Sequence, residues 1–318
     1  MANVLVTGGA GFIASHIAEA CVRRGDKVRV LDNLCTGFLH NLNPIRSEVE
    51  FIEGDVADES TVARAMKGIE LVFHQAALAS VPLSIERPMD THRSCVTGTL
   101  NVLNQAVKAG VRRVVYAASS SAYGDRPFSA KRESDLPQVL SPYAAAKLAG
   151  ELYCQAFYHS FGLETVGLRY FNVFGPRQDP ASPYSAVIPL FVTAILSGNP
   201  PTIFGDGGQS RDFIFVKNVV RGNLLAGDTP AAAGRIFNMA EGRQTSLLQL
   251  LNLLTELLGQ SVEPNFQPAR LGDVRESLAD ISQARTVLGY EPETSLEEGL
   301  RQTIDYYREI AERKLAKA

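Results

Sequence analysis

The stretch VTGGAGFIASH, residues 6–16, decides how the rest of the chain is read. It follows the apolar run VLV (4–6) and passes directly into a helix-forming pattern. Gly8 and Gly11 fill the first two glycine positions of a G-x-x-G-x-x-G turn, and Ala14 stands at the third. Glycines let the backbone turn tightly and approach a ligand. The helix that follows offers free N–H groups and the positive end of its dipole to an anion such as a pyrophosphate. The third position serves close helix–strand packing, where alanine is tolerated. Strand, glycine turn and helix open a dinucleotide-binding unit, and the second strand supplies the matching acid: Asp32 closes VRVLD. A carboxylate there accepts from the adenosine ribose hydroxyls and repels a 2′-phosphate, which favours NAD over NADP. Asp55, in EGDVAD after the third strand, either faces the adenine or caps the next helix.

Outward from the turn the same rhythm repeats. The runs VLV (4–6), VRVL (28–31), VEFIE (49–53), ELVFH (70–74), RVVYAA (113–118) and TVGLR (165–169) are short and β-branched, as strands buried on both faces are. Gly25, Gly68, Gly110 and Gly162 each stand between a helical pattern and the next strand, where a left-handed C′ residue closes a helix. The fold class is therefore α/β, a doubly wound parallel sheet with helices on both faces. After about residue 172 prolines break the rhythm, and a smaller C-terminal α/β lobe is expected. Capping boxes at Ser246/Gln249 and Ser295/Glu298 open two of its helices. The domains are read as 1–172, with a return segment around 212–245, and mainly 173–318. DFIFVKNVVRGNLLA (212–226) reads as a strand plus helix that rejoins the main sheet.

SPYAAAK (141–147) sets Tyr143 and Lys147 on one face of a helix start, with Ser141 as N-cap and Pro142 at N1. A free phenol, with a pKa near 10, is a poor base at neutral pH. A nearby ammonium and a cationic nicotinamide would each favour the phenolate. The hydroxyls of Ser119, Ser120 and Ser121 follow RVVYAA at the carboxyl edge of the sheet, where a proton relay to a substrate alcohol could begin. Tyrosine–lysine spacing alone is weak; beside a dinucleotide turn and a serine-rich strand end it is strong.

Composition narrows the classes. The 318 residues are 45% hydrophobic and 20% charged, ample for a large core, and a net charge of −3 argues against nucleic acid or an anionic membrane as partner. The N-terminus lacks a signal-peptide layout, and no apolar run reaches the roughly 18 residues of a membrane span. Cys21, Cys35, Cys95 and Cys154 show no zinc or redox spacing and read as free thiols of a cytoplasmic protein. The five histidines form no ligand cluster, so no metal is expected.

LVTGGAGFIASH, LDNLCTG, VFHQAALASVP, YAASSSAYG, SPYAAAK, LRYFNVFGPRQDP, AVIP, GDGGQSRDFIFV and RLGDVRESLAD together span nearly the whole chain. Over that length it resembles the extended short-chain dehydrogenase/reductases, and within them the UDP-hexose 4-epimerases, most closely those acting on N-acetylated sugars. The resemblance implies a Rossmann-type fold, bound NAD, and inversion of C4 by transient oxidation, rotation of the 4-keto sugar and reduction of its other face. It gives Tyr143 the role of base at the 4-hydroxyl and Lys147 the nicotinamide ribose and the tuning of the phenol. The serine role falls on Ser120, with Ser121 as the other candidate. For the cofactor it further names Gly8, Gly11, Phe12, Ile13, Asp32, Asn33, Thr36, Gly37, Asp55, Val56, Gln75, Ala76, Ala77, Ser119 and Tyr170.

For the UDP-sugar the resemblance implies Asn172, Arg211 and Arg270 at the diphosphate and Asp273 at the uridine ribose. Val187–Ile188 and Thr202–Ile203–Phe204 would enclose the uracil. Ser80, Gln178, Ala186 and Ser277 would line the sugar pocket with Ser120, Ser121 and Tyr143. Ser277 stands where a tyrosine excludes an N-acetyl group, so its small side chain favours UDP-GlcNAc and UDP-GalNAc. Three positions depart from the pattern: Cys95 replaces an asparagine, Ala79 a glycine, and Ala14 the third glycine of the turn. Helices around 86–109 and 142–160 carry apolar residues on more than one face, and in this family such helices pair as a four-helix bundle, which implies a homodimer. The rival activities are UDP-glucuronate decarboxylation or 4-epimerisation, and a silent NAD-binding sensor or scaffold. A 4,6-dehydratase would need an Asp-Glu pair where this chain has Ser120–Ser121.

Overall fold

A computed structural model describes residues 1–125, 130–181, 185–269 and 274–315. The six apolar runs become β1 (Asn3–Thr7), β2 (Lys27–Asp32), β3 (Val49–Glu53), β4 (Leu71–His74), β5 (Arg113–Ser119) and β6 (Glu164–Tyr170). Between them lie α1 (Phe12–Arg23), α2 (Glu59–Ala65), α3 (Val81–Glu86), α4 (Pro88–His92), α5 (Gly98–Ala109) and α6 (Pro142–Phe161). All four inter-element glycines have positive φ, and Gly110 and Gly162 are the left-handed caps of α5 and α6. α6 begins as its sequence dictates: the Ala144 N–H donates to Ser141 Oγ at 3.1 Å, and Pro142 sits in the first turn.

The chain continues through β7 (Asn172–Phe174), α7 (Val187–Leu196), β8 (Thr202–Phe204), β9 (Ser210–Arg211), β10 (Phe213–Phe215), α8 (Val216–Asp228) and β11 (Arg235–Met239). It ends with β12 (Thr245–Ser246), α9 (Leu247–Leu258), β13 (Asn265–Gln267) and α10 (Leu296–Leu315). The main sheet is seven parallel strands in the order β3-β2-β1-β4-β5-β6-β11. Strand order reverses between β1 and β4, and ligands of open α/β sheets bind outside the carboxyl ends at such a switch point. One apolar cluster joins α1 and α8 to one face of the sheet, and a second joins α2, α5 and α6 to the other. A third, with Phe174, Phe191, Leu250 and Ile304, is the core of the smaller lobe.

The return to the main sheet differs from the sequence expectation. β10 pairs with β7 in a separate two-stranded sheet, while α8 packs against α1 and β5, and β11 is the strand that rejoins beside β6. A three-residue strand carries too little pattern to show its partner. The helical region near 86–109 is also interrupted, by a π turn at Arg93–Thr97 holding buried Cys95. There the Thr99 hydroxyl donates to the Cys95 carbonyl at 2.6 Å. The capping box at Ser246 and Gln249 forms in both directions; at Ser295 the Glu298 N–H donates to the serine hydroxyl. No helix among the described residues is long and apolar enough to cross a membrane.

Candidate active site

The glycine turn forms because nothing larger fits. Gly8 lies at φ +66°, and a Cβ there would sit 2.8 Å from the Ala76 Cα, just beyond β4. The Gly11 N–H closes the turn onto the Gly8 carbonyl at 2.9 Å, and Gly11 is the N-cap of α1. Asp32 locks it from the neighbouring strand, accepting from the Ala10 N–H at 2.9 Å and the Leu34 N–H at 2.7 Å. Burial raises the Asp32 pKa, and those two N–H groups oppose the shift. Asp55 does not cap a helix: Asp58 caps α2, and Asp55 faces the cavity, 3.3 Å from Arg93.

These groups line a cavity of about 410 Å³ along the carboxyl ends of the strands. Every residue named above for the cofactor is on its wall: Gly8, Gly11, Phe12, Ile13, Asp32, Asn33, Thr36, Gly37, Asp55, Val56, Gln75, Ala76, Ala77, Ser119, Tyr143, Lys147 and Tyr170. Ser94, Ala117, Ala118 and Phe171 join them; a π turn and a strand end that sequence periodicity does not register bring them there. The cradle, the helix N-terminus and the acid fit a dinucleotide. Gln178 also lines this cavity, and its buried Oε1 has no hydrogen-bond partner among the described residues, so it is available to a ligand donor.

Tyr143 and Lys147 reach the cavity from the first two turns of α6. Lys147 is buried, donates from Nζ to the Ala117 carbonyl at 2.8 Å, and lies 5.1 Å from the Tyr116 ring centroid. Burial lowers its pKa. The Tyr143 phenol is held well above its ordinary pKa, first by burial and then by the nearby Cys95 thiol, while hydrogen bonding to Ser119 pulls it down. Of the three serines, Ser119, the last residue of β5, is the one that lines the cavity with Tyr143. Ser121 donates to Ser119 Oγ at 2.8 Å, and Ser120 opens the following 3₁₀ turn; neither lines the cavity.

A second cavity, of about 360 Å³, opens in the smaller lobe. Asn172, Ala186, Val187, Ile188, Thr202, Phe204 and Arg211 line it, with Gln209 and Phe213 in addition. Ile203 points away into the core, as strand alternation requires. Val173 lines both cavities, so they adjoin at β7. Ser80 lies on neither wall; its hydroxyl caps α3 by accepting from the Leu83 N–H. Ser277 also lies on neither wall; its N–H donates to the Ser210 carbonyl, which places it beside Arg211. Arg270 and Asp273 lie outside the described residues.

Comparison with known proteins agrees with this architecture. The model of the NAD dependent epimerase/dehydratase family matches residues 4–240. A UDP-glucose 4-epimerase of Mycolicibacterium smegmatis is 38% identical over 310 residues, covering 96% of this chain and 98% of that one. Among solved structures, a UDP-N-acetylglucosamine 4-epimerase from Methanobrevibacter ruminantium, in complex with UDP-N-acetylmuramic acid, superposes with a TM-score of 0.93 at 39% identity. A UDP-glucose 4-epimerase from Thermotoga maritima with UDP-glucose gives 0.93 at 40% identity. Both cover 97% of this chain and 99% of their own. A parallel sheet with a nucleotide cradle at its switch point, and similarity of this extent, make the chain a member of the NAD dependent epimerase/dehydratase family.

Proposed function

We propose that the protein is an NAD-dependent UDP-sugar 4-epimerase that interconverts UDP-GlcNAc and UDP-GalNAc, with the plain hexoses as further substrates. The observation that carries this reading is the junction of the two cavities: the dinucleotide cradle and the smaller lobe share Val173, and Tyr143, Lys147 and Ser119 line the cradle. An alcohol held at that junction would meet a base and the cofactor together. NAD, when bound, supplies the acceptor and then the donor of the C4 hydrogen. Tyr143 takes the 4-hydroxyl proton and returns it, so its phenolate must be made accessible near neutral pH. Ser119 favours that form by hydrogen bonding, and the cationic nicotinamide adds to it. Lys147 is anchored on the Ala117 carbonyl, where its ammonium can hold the cofactor's ribose.

In the second cavity Asn172 and Arg211 would receive the diphosphate, Arg211 as a charged fork. Val187–Ile188 and Thr202–Phe204 would hold the uracil. The smallness of Ser277, beside Arg211 and Ser210, favours room for an N-acetyl group. Val81, Ile85 and Met89 on α3 and α4, and Leu152 and Tyr153 on α6, are exposed on helices packed side by side, which supports a homodimer formed through this face.

The test supplies purified protein separately with UDP-GlcNAc, UDP-Glc and UDP-GlcA and resolves products by NMR. Interconversion of the N-acetylated pair without added reductant is expected. Turnover of UDP-GlcA alone, by epimerisation or loss of CO₂, would replace the reading with a uronate one. Ser277→Tyr is expected to block the acetylated sugar and spare UDP-Glc.

A further inference from the structure

Behind the catalytic helix lies a buried polar chain that touches neither cavity. Glu151, one turn beyond Lys147, forms a bidentate ion pair with Arg169 on β6, at 2.9 and 2.6 Å, with both side chains almost fully buried. The Arg169 guanidinium lies 4.6 Å from the Tyr123 ring centroid. Tyr123 closes the 3₁₀ turn that follows Ser119, and its hydroxyl donates to Asn238 Oδ1 on β11 at 2.6 Å.

Asn238 is fully buried and every polar group of its side chain is used. Its Nδ2 donates to the Lys131 carbonyl at 2.9 Å and to the Asp280 carbonyl at 3.0 Å. The two carbonyls fix which way the amide faces, so only Oδ1 can receive Tyr123. Lys131 is itself bonded to the same segment: its N–H donates to the Leu278 carbonyl, and the Asp280 N–H donates back to Lys131. That segment continues from Ser277, whose N–H holds Ser210 beside Arg211 in the second cavity.

A single connected path therefore runs from α6 to the strand-like segment at the substrate lobe. A buried polar network rigidifies what it connects where its groups are paired. Here the Glu151, Tyr123 and Asn238 contacts are made, and Arg169 Nη1 is without a hydrogen-bond partner among the described residues. Resting on the epimerase reading, we propose that Tyr123 and Asn238 are positioning residues: their hydrogen bond joins the substrate-side segment 277–280 to the turn that aims Ser119 at Tyr143. Neither residue touches substrate or cofactor. Tyr123 acts on the proton step through Ser119, and Asn238 acts on substrate binding through residues 278–280.

The two ends of the joint separate kinetically. In the NAD-loaded enzyme, Tyr123→Phe keeps the ring over Arg169 and removes only the hydroxyl. It is expected to lower kcat about tenfold, with KM for the UDP-sugar and NAD content unchanged. In a Ser119→Ala background the same change is expected to cause no further loss. Asn238→Asp keeps an acceptor for Tyr123 and puts an oxygen where Nδ2 donates to the 131 and 280 carbonyls, so at most one of the two donations survives, and only in the protonated acid. It is expected to raise KM about fivefold, with kcat per bound NAD within a factor of about two. Independent multiplication of the Tyr123 and Ser119 effects overturns the proposal, as does an identical kcat and KM response in the two variants, the mark of general loosening. If Tyr123→Phe fails to fold, the Asn238→Asp split alone decides. Wild-type protein inactive on every UDP-sugar would instead overturn the functional reading, and the proposal with it.

Discussion

At the scale of single residues, the proposed reading has Tyr143 and Ser119, which share one cavity wall, divide the work of one proton. Burial and Cys95 hold the phenol in its neutral form, and Ser119 opposes them. Removing the hydroxyl with Tyr143→Phe is expected to cost at least about a hundredfold in kcat while bound NAD is retained, as read by single-turnover assay and cofactor content. Ser119→Ala is expected to cost tens of fold and Ser120→Ala less than about threefold; a larger loss at Ser120 would move the proton role to it. Of the three consecutive serines, the family resemblance put the proton role on Ser120, with Ser121 as the other candidate, and Ser119 at the cofactor, whereas the structure puts only Ser119 on the cavity wall. The choice follows from where β5 ends: Ser119 is opposite Tyr170 in strand register, whereas Ser120 has already turned away into a 3₁₀ geometry. The same limit applies to Lys147, whose anchor on the Ala117 carbonyl is a tertiary contact that no spacing within SPYAAAK encodes.

At the scale of elements, α6 carries Tyr143 and Lys147 to the first cavity and is also a structural beam. Its start was readable from Ser141 and Pro142, and Ser141→Ala is expected to cost about 1 kcal/mol by denaturant unfolding, with a smaller effect on turnover. Its deeper anchor was not readable, because Glu151 and Arg169 lie on different elements and each resembles a surface charge in the one-dimensional pattern. Arg169→Met leaves a buried carboxylate without its partner, and is expected to destabilise by roughly 3–5 kcal/mol. Parallel strands, buried on both faces, announced themselves as apolar runs, and with the glycine turn and Asp32 they placed the first cavity; most of its individual wall residues were named by the family resemblance, not by the pattern. Of the short strands β7 to β10 only β10 was legible, within DFIFV, and its partner was not: two or three residues have no usable period, and their pairing depends on segments distant in sequence.

At the scale of the whole molecule, acid and association are the accessible handles. His74 is buried between Thr7 and Thr99, at 2.7 and 3.0 Å, and burial pushes its pKa down to about 3. Its folded value lies below the unfolded value of 6.5, so the stability it contributes is complete above pH 6.5 and is lost as pH falls from there toward 3. Urea unfolding of the wild type and His74→Gln at pH 7 and pH 4.5 is expected to show the larger acid-induced loss in the wild type. Light scattering is expected to give a dimer, twice the 34.4 kDa of the chain. Charged substitutions at Ile85 and Leu152 are expected to give the monomer.

The last strand of the main sheet bears on how the protein is made. β6 pairs with β5 on one side and with β11 on the other, and β11 is synthesised only after the chain has passed through part of the smaller lobe. At bacterial or eukaryotic translation speeds, the roughly 70 residues between Tyr170 and Met239 take about 4–14 seconds to emerge. For that interval β6, buried on both faces in the finished fold, is a bare edge able to pair with another nascent chain. A chaperone that shields this edge on the ribosome would act on yield without touching the chemistry.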